Sequence, residues 1–397
     1  MQRFLFVDDE PKLLNGLRRM LHSLRSEWAM EFVESGPEAL QCLAERRFDV
    51  VVSDMRMPGM DGSELLRNVR ERFPTTVRLI LPGQCDRRAV LKAIGPAHQF
   101  LTKPCNSETL KGALSRACRL GNCMSDPEAQ ELASRVEALP SLPESLGSLT
   151  AALEAAEGCM DQAGRVVAGD PGMAARVLQL VNSGYFGSPQ PLVNPRRAAG
   201  LLGQERLSEL AAVGNVFIAP PLAEPYMSWL ASAVDHCRTV AEVALRIAQV
   251  ETNCPDLIAD ARWGGLLHDV GRLVLIQQVP GRYADLLAAG DDNDDRCTFE
   301  RQTCGADHAA LGAYLLSLWG LPDSLVRIAA MHHTPAISED CGFTALTAVH
   351  AANALCRQPS GRHCKLDNAY LERIGKADRV SVWAELCRSA AWEGATA

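Results

Sequence analysis

Aromatic residues are scarce in this chain, at 5% of 397 positions, while Ala and Leu are abundant, a composition that favours helix. There is no apolar run of about 18 residues free of charge, which excludes a membrane span of the hydropathic kind. None of the 14 cysteines forms a Cys-x-x-Cys pair, and Cys118 and Cys123 are the nearest two, so a zinc ribbon or finger is excluded. There is no internal repeat and no low-complexity tract. Disorder is excluded as well, because 47% of the residues are hydrophobic. The opening Met1-Gln2-Arg3-Phe4-Leu5-Phe6-Val7-Asp8-Asp9-Glu10 turns acidic too early for a signal peptide. A cytoplasmic location is therefore expected, with reduced cysteines acting as small buried hydrophobes.

Positive charge is also short. The net charge is −8, but residues 1–120 carry a net +4 and the remainder a net −12. An acidic second part argues against a dedicated DNA-binding output, because phosphate contacts need clustered cations. At about 150 residues per domain, the length suggests two or three domains.

What is present divides in two. In the first 120 or so residues, short apolar runs alternate with helical patterns. Phe4-Leu5-Phe6-Val7, Phe48 to Ser53, Val77 to Leu81 and Phe100-Leu101-Thr102 read as buried strands. Leu13, Leu17, Met20, Leu21 and Leu24 recur at helical spacing. Such alternation predicts a parallel sheet covered by helices on both faces. Turn formers at Gly121-Asn122-Cys123-Met124-Ser125-Asp126-Pro127 predict a linker. From about Glu131 onward the patterns are helical. Asp170-Pro171 predicts a capped helix start, with an end near Asn182-Ser183-Gly184. Pro220-Pro221 and Glu224-Pro225 mark breaks, and Asp291 to Asp295 reads as a solvated acidic loop.

Ligands of a parallel sheet sit beyond the carboxyl ends of its strands. Asp8 and Asp9 follow the first strand there, Asp54 the Val-rich one and Lys103 the last. Converging carboxylates repel one another and invite a hard divalent cation such as Mg²⁺. Such an ion would neutralise an incoming phosphoryl group, with Asp54 as carboxylate nucleophile.

These residues resemble the response-regulator receiver domain. The resemblance rests on Val7-Asp8-Asp9-Glu10, on Ser53-Asp54-Met55-Arg56-Met57-Pro58-Gly59-Met60-Asp61-Gly62 and on Lys103-Pro104. It implies phosphorylation at Asp54 and a phosphoryl contact from Lys103. It also implies Mg²⁺ on Asp9, Asp54 and the Arg56 carbonyl, with Asp8 acting through water. One position departs from the pattern. The family carries a Ser or Thr hydroxyl after the strand Val77 to Leu81, where this chain has Pro82, while the partner aromatic is present as Phe100. Proline has no side-chain donor. The expectation is an output that depends weakly, or differently, on phosphorylation.

The second part carries His236, His268-Asp269, His308 and His332-His333, each on or near a helix. Gly265-Leu266-Leu267-His268-Asp269-Val270-Gly271 reads as a buried helix end with Gly271 as a turn or cap. A His beside an Asp there, with His236 from another helix, can hold a divalent metal. The pattern resembles the HD superfamily of metal-dependent phosphohydrolases. That resemblance implies a later Asp, where this chain has Asn353; His350, one turn earlier, is a candidate substitute.

Leu139-Pro140-Ser141-Leu142-Pro143, Asp170 to Gly187 and Ala198 to Gly203 narrow the resemblance to the HDOD domain, an HD-related output domain read mostly as a signalling and interaction module. His308 to Ala313 and His332-His333 also resemble the HD-GYP phosphodiesterases. The Gly-Tyr-Pro loop of that class is missing, and Arg272 stands in place of its Lys. Leu346, Val349, Ala352 and Leu355 predict one further helix and Val380 to Cys387 another, with Trp383 and Trp392 as packing residues.

The expected fold is an α/β doubly wound parallel five-stranded receiver domain followed by an all-α HD-like helical domain. The expected boundaries are 1–120 for the receiver, 121–130 for the linker, 131–335 for the HDOD domain and 336–397 for its helical extension. The expected function is that of a two-component response regulator with a non-catalytic output. The alternative is a receiver-controlled metal-dependent phosphohydrolase acting on a nucleotide or cyclic dinucleotide. That alternative needs a transition metal on His236, His268, Asp269, His308, His332 and His333. Expected partners are a sensor histidine kinase, a downstream protein and a second copy through the fourth- and fifth-strand face; membrane and nucleic acid are not expected.

Overall fold

The computed structural model describes residues 1–83, 94–103, 107–123, 127–155, 159–183, 190–213, 216–217, 224–288, 296–356 and 365–388. Gln84, Pro104, Met124 to Asp126, Gly184 to Gly187, Pro220-Pro221, the Asp291 to Asp295 loop and Trp392 lie outside them.

Five parallel strands form one sheet in the order β2-β1-β3-β4-β5. They are β1 (Gln2–Val7), β2 (Trp28–Val33), β3 (Val50–Asp54), β4 (Val77–Leu81) and β5 (Gln99–Phe100). Phe4, Leu5, Phe6, Val50, Val51, Leu79 and Ile80 are completely buried, as helices on both faces require. β2 is the strand that the apolar-run pattern misses. It lies at the sheet edge and is half-buried over Ala29 to Phe32, so Trp-Ala-Met-Glu-Phe-Val is not a continuous apolar run. β5 is short, but its pairing continues past its end through Leu101 N to Ile80 O (3.0 Å) and Lys103 N to Pro82 O (3.2 Å).

The helices of this part are α1 (Pro11–Met20), α2 (Gly36–Glu45), α3 (Gly62–Arg72) and α4 (Ser107–Cys123). In α1 the core-facing residue is Leu14, while Leu13 is exposed. α4 runs through Gly121, Asn122 and Cys123, so these turn formers end a helix instead of opening a linker.

The rest is helical: α5 (Pro127–Ser134), α6 (Pro143–Glu154), α7 (Met160–Ala168), α8 (Pro171–Asn182), α9 (Pro195–Ala212), α10 (Tyr226–Glu251), α11 (Pro255–Leu267), α12 (Val270–Gln278), α13 (Pro280–Ala288), α14 (Arg296–Cys304), α15 (His308–Leu318), α16 (Asp323–Met331), α17 (Ala345–Leu355), α18 (Asn368–Arg373) and α19 (Val380–Arg388). The Asp170 cap forms as its sequence requires. Its carboxylate accepts from Met173 N (3.0 Å) and also from Leu142 N (3.1 Å), tying α8 to the start of α6.

One continuous apolar core runs from the sheet into the helices. A second packs α17, α18 and α19 against α10. There Glu251 accepts from Lys376 Nζ (2.7 Å), Arg379 Nε (2.6 Å) and Trp383 Nε1 (3.0 Å). The cysteines are less uniform than expected. Among the described residues Cys237, Cys304 and Cys356 are buried free thiols, whereas Cys159, Cys254 and Cys341 are exposed ones.

Candidate functional sites: an acidic pocket, a buried joint and a histidine cluster

The acidic pocket lies beyond the carboxyl ends of β1 and β3. Asp8 and Asp54 are buried and Asp9 is exposed. Asp54 Oδ2 accepts from Arg56 N (2.8 Å), and Asp8 Oδ1 from Glu10 N (3.0 Å). Lys103 Nζ bridges the pocket, donating to Asp8 Oδ2 (2.6 Å) and to Asp54 Oδ1. Burial alone would depress its ammonium, but the Asp54 and Asp8 carboxylates outweigh burial and hold its pKa above the ordinary lysine value. Two carboxylates sharing one cation show that this crevice needs positive charge, which fits the hard oxygen donors of a Mg²⁺ site. Gly62 is required here, because a Cβ would lie 2.0 Å from the Asp54 carbonyl oxygen.

A second polar assembly lies where the sheet meets the helices. Arg78 on β4 is buried; its Nε donates to Pro96 O (2.7 Å) and its Nη2 to Ser134 O at the end of α5 (2.6 Å). His98 is buried beside it and accepts from Arg78 N at Nδ1 (3.1 Å). Gln99 Nε2 donates to Leu318 O at the end of α15 (3.0 Å). From the helical side, Gln179 Nε2 donates to His98 O (2.9 Å) and Arg176 Nη2 to Ile94 O (2.7 Å). The Arg176 guanidinium also lies over the Trp319 ring, 5.4 Å from its centre. Burial draws both arginines down to about 9, which leaves them charged at neutral pH.

Arg176 and Gln179 lie in the Asp170 to Gly187 stretch that carries the HDOD resemblance, but no motif marked any of these residues as a joint to the sheet. The available signals were a lone Arg inside the apolar strand Val-Arg-Leu-Ile-Leu and an Arg inside a helix buried along nearly its whole length. The assembly lies at the β5 edge of the sheet, so a second copy pairing along that edge would meet α8 and α15 of the same chain at His98 and Gln99.

The third site gathers His236, His268, His308, His332 and His333, five of the histidines that the sequence pattern selected. Asp269, between α11 and α12, is fully buried at its centre. Around it stand His236 from α10, His268 at the end of α11, His308 at the start of α15 and His332 and His333 after α16. Burial opposes the Asp269 charge, but Arg272 and the surrounding histidines hold its carboxyl well below the usual range. Burial also opposes a charge on His308, yet Glu300 and Asp269 raise it to about 9. His236 is pushed down to about 4, chiefly by burial.

Asn353 takes the position facing His236, its Oδ1 3.0 Å from His236 Nε2. His350 does not substitute for the missing Asp. Its Nδ1 lies 2.7 Å from His332 O, and its Nε2 accepts from Asp367 N (2.9 Å), so both ring nitrogens are committed elsewhere. Gly271 is not a cap either. It lies in the first turn of α12, where a Cβ would come within 1.8 Å of His308 O. Glu300 escaped the sequence reading. Its Oε2 accepts from His308 N (2.8 Å) and lies 2.5 Å from His308 Nδ1.

A doubly wound parallel domain with this pocket is thus joined to a helical domain with this cluster. Family comparison agrees: the response regulator receiver domain matches residues 4–115 and the HDOD domain residues 139–335. The chain is a response regulator with an N-terminal receiver domain and a C-terminal HDOD domain. Among curated relatives, the hydrogenase transcriptional regulatory protein HoxA of Cupriavidus necator is 36% identical over 102 residues, 25% of this chain and 20% of that protein. The transcriptional regulatory protein TrcR of Mycobacterium tuberculosis is 34% identical over 133 residues, 33% of this chain and 50% of that protein. The chain thus spans half or less of the length of these relatives. A solved signal receiver domain of an HD domain-containing protein from Pseudomonas fluorescens is 32% identical, covering 31% of this chain and 98% of that one, with a TM-score of 0.30.

Proposed function

We propose that a sensor histidine kinase transfers a phosphoryl group to Asp54 and that the HDOD domain answers by changing the contacts it offers a downstream protein. Asp9, Asp54 and the Arg56 carbonyl would hold Mg²⁺, with Asp8 acting through water, and the ion would supply charge neutralisation for the incoming phosphoryl group. Lys103 then exchanges its bond to Asp54 for the phosphoryl oxygens.

The observation that carries this reading is the position of Lys103. It lies three residues past β5, on the stretch that continues the pairing to β4, and His98 and Gln99 at the start of that stretch are bonded into α8 and α15. A pull on Lys103 is therefore a pull on the joint. Pro82 cannot supply a hydroxyl, but its carbonyl accepts from Lys103 N, so the signal has a backbone route in place of the side-chain one. The output follows phosphorylation differently from the hydroxyl-switched pattern. An Asn at position 353, where the HD phosphohydrolases place a carboxylate, favours a non-catalytic output.

Hydrogen exchange tests this, with and without beryllofluoride and Mg²⁺ as a phosphoryl mimic. Exchange is expected to rise in 171–182 and 308–318, and Asp54→Asn is expected to abolish the rise. Identical exchange in the helical domain with the mimic bound would refute the coupling.

A further inference from the structure

We infer that Cys356 and Cys387 are a reversible dithiol–disulfide pair, oxidised by a small-molecule disulfide, whose bond fastens α19 to the end of α17. The inference does not depend on phosphorylation at Asp54, since it concerns two thiols at the far end of the helical domain.

The first argument is placement. Cys356 ends α17, its N–H donating to Ala352 O (2.8 Å), and Cys387 lies in the last turn of α19. The two helices pack against each other in the second apolar core, where Cys356 is buried and Cys387 half-buried. There the Cys356 thiol donates a hydrogen bond to the Cys387 sulfur. Two free thiols on different helices therefore meet sulfur to sulfur, and such a meeting is what lets a disulfide form with little movement of the backbone.

The second argument is that the two thiols are unequal. The bond from Cys356, with Arg388 next in the chain, lowers the Cys387 thiol against the effect of burial, while that same bond and burial raise Cys356. The thiol nearer the surface is thus the one that ionises, and the buried one holds its proton behind it. The Cys387 thiolate attacks one sulfur of the small disulfide, forming a mixed disulfide and expelling a thiolate, which takes up the proton that Cys387 lost. Cys356 then gives up its proton and attacks the Cys387 sulfur, and the second half of the small disulfide leaves as a thiol. The cysteines lose two electrons and two protons, and one small disulfide becomes two thiols. An excess of thiol reverses both steps, as a reducing compartment requires.

The third argument is what the bond holds. The first half of α19 is already anchored, because Trp383 and the preceding Arg379 both donate to Glu251 of α10. Its last turn carries Leu386 and Cys387, which are only half-buried. A bond at Cys387 anchors that second end. The helix it reaches, α17, carries the Asn353 that faces His236, so the fastened helix is a wall of the histidine cluster.

The test equilibrates the reduced full chain with glutathione buffers of rising oxidised fraction, then alkylates, digests and maps the thiols by mass spectrometry. A peptide joining Cys356 to Cys387 within one chain, lighter by two hydrogens and reopened by excess reduced glutathione, is expected. The linked form should melt a few degrees higher than the reduced one. It should also exchange amide hydrogens more slowly over 345–355 and 380–388. Cys356→Ser should stop at a glutathione adduct on Cys387, and Cys387→Ser should leave Cys356 unmodified. Thermal melts show whether these variants fold, and the map of the unaltered protein needs neither. Four results would overturn the proposal. The first is that both thiols stay free where the exposed Cys159, Cys254 and Cys341 are modified, as expected of residues that serve only as small hydrophobes. The second is a lasting glutathione adduct on Cys387 of the unaltered chain, and the third is a bond from either residue to a different cysteine. The fourth is a linked form whose melting and exchange match those of the reduced one.

Discussion

At the scale of the residue, His98 shows how one side chain is fixed by its neighbours. Its Nδ1 accepts from Arg78 N (3.1 Å), and its Nε2 lies 2.6 Å from Arg78 Nη2 and 3.3 Å from Ser134 O, so both ring nitrogens face donors on Arg78. A second proton on the ring would have to enter against those N–H groups, beside the Arg78 guanidinium. Burial first, and then Arg78, hold His98 well below the ordinary histidine value. The groups facing its ring are Arg78 from β4 and the Ser134 carbonyl from α5, with Tyr314 beside Arg78 and the Gln179 amide of α8 on the His98 backbone carbonyl, and none of these is a carboxylate. As the pH falls through about 6.5 the unfolded chain takes up a proton that the folded chain refuses, so stability is lost with acid and is unchanged above that value. Urea denaturation at pH 7.5 and 5.5 should show a smaller acid loss for His98→Asn, which keeps an acceptor and does not titrate. The same loss in both proteins would assign the effect to the other buried histidines.

At the scale of the element, two positions decide how helices meet. Asp170 caps α8 and also holds the backbone of Leu142, so Asp170→Ala should cost about 1–2 kcal/mol in chemical denaturation, with Asp170→Asn costing less. Gly271 lets α12 cross the first turn of α15 at backbone contact. Gly271→Ala must separate them and should cost about 1–3 kcal/mol. It should also shift His308, which a change in the His308 imidazole NMR signals would detect. A variant with unaltered stability and unaltered signals would mean that the crossing relaxes freely. Arg272, one residue further along, faces Asp269, so α12 brings both the close approach and the charge to the cluster.

At the scale of the whole molecule, the receiver and the HDOD domain share one apolar core sealed by the joint around Arg78, His98, Gln99, Arg176 and Gln179. α15 links the distant parts: its last carbonyl residue, Leu318, accepts from Gln99, and its first, His308, stands in the histidine cluster. At the β5 edge, where two copies could pair, His98 and Gln99 are already bonded to α8 and α15 of the same chain. Loosening the joint with Gln99→Leu and Gln179→Leu together should expand the particle in small-angle scattering and promote self-association in sedimentation velocity. A dimer of unchanged strength would place the pairing surface elsewhere.

Much was legible in the residues alone, for a physical reason. Short apolar runs exposed β1, β3, β4 and β5, because a buried parallel strand must be apolar, and Asp or Lys at the ends of β1, β3 and the β5 stretch marked the polar crevice. The carboxylates, Lys103, the Asp170 cap and the histidines that meet at Asp269 were legible too, because their chemistry is local to the side chain. β2 was not, since an edge strand is only half-buried. Glu300, the division of Asp269 between Arg272 on one oxygen and His308 and His332 on the other, and the joint around Arg78 and His98 were decided by tertiary structure. Each depends on which groups face one another after burial, and single polar residues inside apolar segments do not reveal the partner that compensates them.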